Sequence, residues 1–228
     1  MKKLLVKLRK TKLLLIYRFA LRKIVNHLKW HGNSVIQLVN YTYPGRHPDI
    51  FEFVQKYFSE KEGVTVLSFG CSVGDECTSL LGYLPASKIT GIDINRKNII
   101  LACKKNKNPN IEFIHADILD FQFPDKRHFD AIFILSVLCI EPEARFYNDI
   151  EKLFCFNLFD RIIGKLDEYL KIGGLLILRN ANYLFEESST AKKYIALQGQ
   201  NTDFPVFNIS GEKIKGPVFV NEIFMKVS

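Results

Sequence analysis

The chain of 228 residues lacks the sequence features of several common protein classes. Its five cysteines never form a CxxC pair, which leaves no ligand spacing for zinc and favours a reducing compartment. In residues 1–30 the longest uncharged run is five residues, at 13–17. A membrane span needs about 20 apolar residues and a signal peptide about 7–15. We therefore expect a metal-free, cytoplasmic protein without either segment.

Acidic residues are missing from the beginning of the chain. Residues 1–30 carry ten lysines and arginines and no acid, so the remaining chain has a net charge of −2 although the whole is +8. Apolar and basic residues occupy different faces of a predicted helix. This basic arm could pack on the body, lie peripherally on an anionic membrane surface, or dock an acidic partner or nucleic acid. The nearly neutral body argues against a broad nucleic-acid footprint.

Short apolar runs alternate with helical patterns after residue 48, which predicts an α/β fold with a doubly wound, mostly parallel sheet. Strands are predicted at 64–69, 88–94, 111–115, 129–137 and 175–179, and helices at 50–58, 75–83, 96–105 and 143–170. Segments 204–210 and 219–227 alternate around glycines and predict a final antiparallel pair. We divide the chain into the arm with its connecting segment, residues 1–48, and a main domain, residues 49–228.

The glycine-bounded turn in VLSFGCSVGDEC, residues 66–77, joins the first strand to a helix. A phosphate-binding loop needs a lysine or arginine there, but this one has Asp75 and Glu76. GxGxxG is not met either. Because two acids repel phosphate, the loop favours a nucleoside without phosphate, of neutral or cationic character.

The same turn matches GxSxG, the nucleophile elbow of α/β-hydrolases, with Ser72 as the nucleophile. Those enzymes need a histidine late in the chain, and the last histidine here is His128, before the fourth strand. A nucleophilic or redox Cys71 is a further alternative, but no resolving cysteine or paired base can be named. Both alternatives are therefore disfavoured.

Acidic residues follow the next two strands. Asp93 comes 23 residues after Gly70, where a doubly wound nucleoside-binding fold places the carboxylate that accepts from the ribose hydroxyls. Asp93 could instead cap the helix that begins at residue 96. Asp117 could accept from an adenine amine, and Ile118 could pack on the ring. These positions predict a nucleoside site at the carboxyl edge of the sheet.

With these residues in place, residues 50–228 resemble the class I S-adenosylmethionine-dependent methyltransferases. The Cys-Ser-x-Gly-acid-Glu loop is similar to that of the chemotaxis receptor glutamate methyltransferases, as are FDAIFILSVLCI (129–140) and YLKIGGLLIL (169–178). The resemblance implies S-adenosylmethionine as cofactor. It also implies that Gly70 and Gly74 let the backbone approach the methionine part, Asp75 or Glu76 faces its ammonium group, and Asp93 binds the ribose.

The resemblance gives a set of cofactor-binding residues that surround the mouth of the sheet. They are Gly70, Cys71, Ser72, Gly74, Asp75, Glu76, Asp93, Ile94, Asp117, Ile118 and Ser136. The chain departs from the chemotaxis enzymes at Leu135-Ser136, where that family has an Arg-Asn pair, and in its short basic arm. Glutamate specificity therefore does not follow from the loop.

Candidates on the acceptor side lie at other strand ends and in the connecting segment. His47 is the most plausible base, and Glu141 and Tyr183 are further catalytic candidates. Arg46 would suit an anionic acceptor. We expect a methyl acceptor that is a small molecule, a glycan or a lipid-linked compound. Protein carboxyl groups, nucleic acid and a non-catalytic nucleoside-binding role remain alternatives.

Overall fold

A computed structural model describes residues 36–37, 42–125, 127–141 and 143–228. The predicted basic arm, residues 1–30, lies outside these ranges. The helices are α1 (Pro48–Tyr57), α2 (Asp75–Tyr83), α3 (Arg96–Lys105) and α4 (Phe156–Asp167). The strands are β1 (Thr65–Phe69), β2 (Lys88–Asp93), β3 (Ile111–His115), β4 (Phe129–Leu135), β5 (Leu170–Arg179), β6 (Tyr194–Thr202) and β7 (Val218–Lys226).

The seven strands form one sheet in the order β3-β2-β1-β4-β5-β7-β6. The strands from β3 to β5 pair in parallel, whereas β7 lies antiparallel between β5 and β6. Ser68 of β1 aligns with Gly91 of β2 and with Phe133 of β4, so the carboxyl ends of these strands meet at one edge. This arrangement confirms the predicted doubly wound sheet with an antiparallel ending.

The core lies on both faces of the sheet. Every residue of β4 is buried, because alternate side chains enter opposite layers. Leu67 and Ile132 pack in the layer that contains Phe159 of α4, whereas Val66 and Phe133 pack in the layer that contains Phe51 of α1. A strand that is apolar on both faces is typical of a sheet covered by helices on both sides.

The long helix predicted at residues 143–170 is wrong. A short 3-10 turn at Glu143–Arg145 is separated from α4, which begins only at Phe156. Between them the backbone bonds to the tail: Ile150 N–H donates to the Gly211 carbonyl at 2.9 Å, and Lys213 N–H donates to the Asn148 carbonyl at 2.8 Å. These tertiary bonds replace the local bonds that a continuous helix would need.

The first strand of the tail is also not where the sequence predicted it. Residues 204–210 form no strand, and the partner of β7 is β6, further upstream. Asn208 turns the chain here, because its side-chain oxygen accepts from the Ser210 and Glu212 N–H groups at 3.0 and 2.9 Å. Val206 and Phe207 are nevertheless buried. Phe207 forms isolated bridges with Tyr183 and Lys213 but belongs to no strand, so the apolar residues of this segment chiefly reflect core packing.

Within the described residues, each helix falls short of the length and hydropathy that crossing a bilayer would take.

Candidate active site

Strained backbone conformations gather at the carboxyl edge of the sheet. Among the described residues, four non-glycine residues have positive φ: His47 (62°), Ser72 (51°), Ser136 (59°) and Asn180 (56°). Ser72 lies in the loop after β1, and Ser136 and Asn180 directly follow β4 and β5. Such conformations cost free energy and cluster at functional sites. The same edge is where ligands of doubly wound sheets bind.

The loop after β1 is tied to the end of β2. Gly70 and Cys71 N–H groups both donate to the Ile92 carbonyl, at 2.8 and 3.1 Å. Gly70 has φ of 74°, and a side chain there would meet Val137 at 2.5 Å. The Ser72 N–H donates to Asp93 Oδ2 at 2.8 Å. The structure therefore brings the predicted loop and the predicted ribose acid together.

Asp93 is held as an acceptor rather than as a helix cap. The cap of α3 is Asn95, whose side chain accepts from Lys97 N–H. Asp93 Oδ1 accepts from the Asn95 N–H at 2.7 Å. Burial raises the pKa of Asp93, and the bonds from Asn95, Ser72 and Asn98 counteract it. Each carboxylate oxygen accepts two bonds, so Oδ2 keeps capacity for a hydroxyl group.

The two acids at the start of α2 have different surroundings. Glu76 accepts from the Ser68 hydroxyl at 2.8 Å. Burial raises the pKa of Glu76 to about 7, against the lowering effects of Ser68 and Arg46. Asp75 instead lies 3.5 Å from Lys105 on α3. Of the two residues predicted to face a cationic ligand, Glu76 is therefore the one beside the strand mouth.

The nucleophile alternatives find no support here. The Ser72 hydroxyl oxygen is buried without a hydrogen-bond partner among the described residues, so no base contacts it there. The Cys71 thiol is buried, and the neighbouring Cys77 thiol and burial raise its pKa well above the usual value. A thiol held protonated is a poor nucleophile.

The positions predicted to bind adenine are less clearly defined as a ligand site. Asp117 Oδ1 accepts from the Leu119 N–H at 3.1 Å, which is a turn bond. Ile118 is 1% exposed and packs in the core. The Ile94 carbonyl contacts His115 Nε2 at 3.1 Å. The cofactor roles of these three residues stay predictions.

The ends of β4 and β5 meet the connecting segment, residues 42–47. The Ser136 hydroxyl oxygen accepts from Arg46 Nη2, and also from Asn180 Nδ2 at 2.8 Å. The Gly45 N–H donates to the Ser79 hydroxyl of α2 at 3.0 Å. Residues 45 and 46 therefore connect α2 with the end of β4.

A buried arginine that the sequence analysis missed organises this part of the site. Arg179, the last residue of β5, donates to Glu222 of β7 at 2.8 and 2.5 Å and to Asp49 of α1 at 2.9 and 2.6 Å. Its Nη1 lies 3.4 Å from His47 Nδ1. A basic residue closing a buried strand was the only sequence signal for this network.

The other catalytic candidates are divided between two environments. Tyr183 is buried against Phe154, Phe156 and Phe159, and its hydroxyl donates to the Phe154 carbonyl at 2.5 Å. Burial raises its pKa, so a packing role is favoured for this residue. Glu141 Oε1 accepts from Arg145 at 2.6 Å, whereas Oε2 is buried without a hydrogen bond among the described residues. Glu141 thus remains the stronger candidate.

Metal binding has no candidate group within the part of the chain that the structure describes, where no cluster of three His, Cys, Asp or Glu side chains occurs. The residues do fit an S-adenosyl nucleoside. The buried Ser72 hydroxyl has no hydrogen-bond partner in the described part of the chain, Asp93 keeps acceptor capacity, and Glu76 places a carboxyl group beside the loop. These groups match a hydroxyl-bearing, cationic ligand.

Known proteins are similar to this chain over the same region. A family model described as a methyltransferase domain matches residues 66–154. The chain is 24% identical to a fatty-acid O-methyltransferase of Mycolicibacterium smegmatis, over 73% of this chain and 58% of that protein. It is 26% identical to phthiotriol/phenolphthiotriol dimycocerosates methyltransferase 1 of Mycobacterium ulcerans, over 56% of this chain and 42% of that protein.

A solved structure, the N-methyltransferase NodS from Bradyrhizobium japonicum, superposes with a TM-score of 0.49 at 16% identity, over 80% of this chain and 99% of that one. The chain spans about half the length of the curated relatives named above. The family match over residues 66–154 agrees with the predicted resemblance to methyltransferases.

Proposed function

We propose that the protein transfers the methyl group of S-adenosylmethionine to a small-molecule, glycan or lipid-linked acceptor. The observation that carries this proposal is the bond from the Ser72 N–H to Asp93, which joins the acidic loop to the ribose-binding position. The match of residues 66–154 to a methyltransferase domain supports it.

The cofactor's parts are assigned to different strand ends. The backbone of residues 70–74 holds the methionine part, Glu76 faces the ammonium group, Asp93 binds the ribose, and Asp117 with Ile118 meets the adenine. When bound, S-adenosylmethionine supplies an activated methyl group on a cationic sulfur. The residues of this chain align the acceptor and exclude water, and such alignment contributes about 7–11 kcal/mol in well-oriented systems.

The two curated relatives support an acceptor with a lipid character. One is a fatty-acid O-methyltransferase and the other acts on phthiotriol and phenolphthiotriol dimycocerosates. A protein carboxyl group is the second candidate, because the loop from Cys71 to Glu76 is similar to that of the chemotaxis receptor glutamate methyltransferases. Leu135-Ser136, in place of that family's Arg-Asn pair, speaks against it.

We further propose a cytoplasmic protein whose residues 1–30 attach it peripherally to an anionic membrane surface. The ten basic residues of this segment support the proposal, since each contributes about 1 kcal/mol near an anionic surface. The full chain should sediment with phosphatidylserine vesicles in low salt and stay in solution with phosphatidylcholine vesicles. Equal behaviour with both lipids would contradict the proposal.

Calorimetric titration tests the cofactor directly. S-adenosylmethionine and S-adenosylhomocysteine should bind, whereas ATP and NAD should not, because Asp75 and Glu76 repel phosphate. A folded protein that binds neither S-adenosyl compound would overturn the proposed function. Binding without methyl transfer to any acceptor would favour a non-catalytic nucleoside-binding protein.

A further inference from the structure

The connecting segment contains one buried side-chain nitrogen to which no function has been assigned. His47 Nε2 is buried and makes no hydrogen bond among the described residues. His47 also has positive φ. It contacts Arg179 at the end of β5, and the preceding residue, Arg46, contacts Ser136 directly after β4. Strain combined with an unsatisfied polar atom indicates a group that a ligand completes.

The contact with Arg179 fixes which ring nitrogen carries the proton. A guanidinium group has only N–H donors, so His47 Nδ1 must accept at 3.4 Å. Burial, Arg46 and Arg179 lower the pKa of His47 to about 4, and Asp49 opposes them. At neutral pH the ring is therefore uncharged with its proton on Nε2. In this arrangement His47 donates a hydrogen bond and is not poised as the base that the sequence suggested.

The Ser136 hydroxyl group is restricted in the same way. Its oxygen accepts from Arg46 Nη2 and from Asn180 Nδ2. A hydroxyl group has two acceptor positions and one donor. With both acceptor positions used, only its O–H proton remains available to a ligand. Ser136 and His47 thus both present donors, and Arg46 adds a positive charge.

We propose that the methyl acceptor presents a carboxylate, whose oxygens Arg46, His47 and Ser136 bind; this inference rests on the proposed methyltransferase function. A carboxylate accepts hydrogen bonds from all three groups and matches the charge of Arg46. A site built from donors rejects a ligand that cannot accept, because the buried donors are then left unpaired. An ammonium group would leave the His47 and Ser136 donors without a partner.

The chemistry of a carboxylate agrees with a site that offers donors. Ester formation makes one bond between a carboxylate oxygen and the methyl carbon and breaks one carbon–sulfur bond, whose electron pair stays on sulfur. No proton is released, so no base is needed. A hydroxyl or amine acceptor would release a proton that some side chain must take.

Glu141 is the residue that would serve the competing mechanism. Its Oε2 is buried without a hydrogen bond in the described part of the chain, and its other oxygen accepts from Arg145. A hydroxyl or amine acceptor would make Glu141 the base, so Glu141→Gln should then abolish turnover. Loss of methyl transfer to octanoate in Glu141→Gln, with S-adenosylhomocysteine binding retained, would therefore count against a carboxylate acceptor.

Binding of three probes that differ only in their head group tests the acceptor class. Octanoate, 1-octanol and octylamine are titrated into the full-length protein in the presence of saturating S-adenosylhomocysteine. Octanoate should bind at least about tenfold more tightly than the other two, the lower end for hydrogen bonds to a charged group. Equal affinities, a preference for octylamine or no octanoate binding would each overturn the inference.

Variants test whether Arg46 and His47 cause the preference for octanoate. Arg46→Met and His47→Leu should lose the octanoate preference, whereas His47→Gln, which keeps a side-chain donor, should retain part of it. The matched controls are Arg161→Met and His128→Leu, at exposed positions outside the site. An octanoate preference that survives both Arg46→Met and His47→Leu would overturn the assignment of these residues.

The protonation of His47 can be measured without any acceptor. In nitrogen-15 histidine spectra, the His47 ring should show the neutral tautomer protonated at Nε2 down to about pH 5, and Arg179→Met should disturb it. A ring protonated at Nδ1, or one that titrates near 6.5, would contradict the donor role. Failure of S-adenosylhomocysteine to bind would instead count against the proposed function, so the two failures are distinguishable.

Discussion

At the amino ends of β1, β4 and β5, Asp130 accepts from Lys61 and Lys171 at 2.8 and 2.9 Å and from the Thr65 N–H at 2.8 Å. At the opposite end of β1, Glu76 accepts from the Ser68 hydroxyl at 2.8 Å. The surroundings hold the pKa of Asp130 at about 2 and that of Glu76 at about 7.

The contrast separates an edge of the sheet that contributes to stability from an edge that contributes to function. The amino edge satisfies its buried acid completely, whereas the carboxyl edge contains strained residues and buried polar atoms that find no partner among the described residues. Unsatisfied groups lower stability, so they persist where a ligand supplies the missing bonds. Four variants test this contrast.

The largest effect is expected at the carboxyl edge. Asp93→Ala should weaken S-adenosylmethionine binding by about 1.5–3 kcal/mol, the range for hydrogen bonds to a charged group. Calorimetric titration measures this, with circular dichroism to show that the variant folds and Asp203→Ala, at an exposed position, as control. Unchanged affinity in the folded variant would remove the ribose assignment.

The amino edge should show the reverse behaviour. Asp130→Ala should lower the free energy of unfolding by about 1–3 kcal/mol, chiefly because the Thr65 N–H loses its acceptor; the lysines are half exposed and contribute little. Urea unfolding measures this loss, and S-adenosylhomocysteine affinity should stay the same. A large loss of affinity would mean that the two edges are not independent.

The pH dependence of stability should differ between the two acids. The folded pKa of Glu76 is raised from 4.5 to about 7, so its contribution is full below pH 4.5 and is lost as pH rises through 7. The folded pKa of Asp130 is lowered from 3.8 to about 2, so its contribution is present above pH 3.8 and is lost as pH falls through 2. Unfolding experiments across pH should show that Glu76→Gln removes the change in the free energy of unfolding between pH 4.5 and about 7 and leaves the dependence at lower pH as it is. A flattened range below pH 4 would contradict this assignment.

The smallest effect is expected at Ser72. Its hydroxyl is buried without a hydrogen bond among the described residues, so Ser72→Ala should change the free energy of unfolding by less than about 1 kcal/mol. Methyl transfer should stay within a few-fold of the unchanged protein. Complete loss of activity with cofactor binding retained would revive a nucleophilic serine.

The parts of the fold that local signals determine were predicted well. Gly74 and Asn95 mark the beginnings of α2 and α3, and both helices have the predicted bounds. The segment at 204–210 was predicted as a strand because its apolar residues alternate. Tertiary contacts bury Val206 and Phe207, and Phe207 makes isolated bridges but no continuous strand; periodicity alone does not distinguish the two cases.

The candidate site likewise has a part that the sequence predicted and a part that it did not. The spacing from Gly70 to Asp93 follows from the first crossover of the sheet, and the bond between Ser72 and Asp93 agrees with it. The contacts of Arg46 with Ser136 and of His47 with Arg179 join residues 90 and 132 positions apart. No local pattern records such pairs, so the sequence suggested a base at His47 where the structure favours a donor.

Arg179 joins the two ends of the described domain at one side chain. It bonds to Asp49 on the first helix and to Glu222 on β7, and it also contacts His47. Truncation of the chain before residue 218 would remove Glu222 and leave this guanidinium group with only its partners near the other terminus. A deletion at the carboxyl terminus should therefore alter the ring of a histidine that lies 175 positions before Glu222 in the sequence.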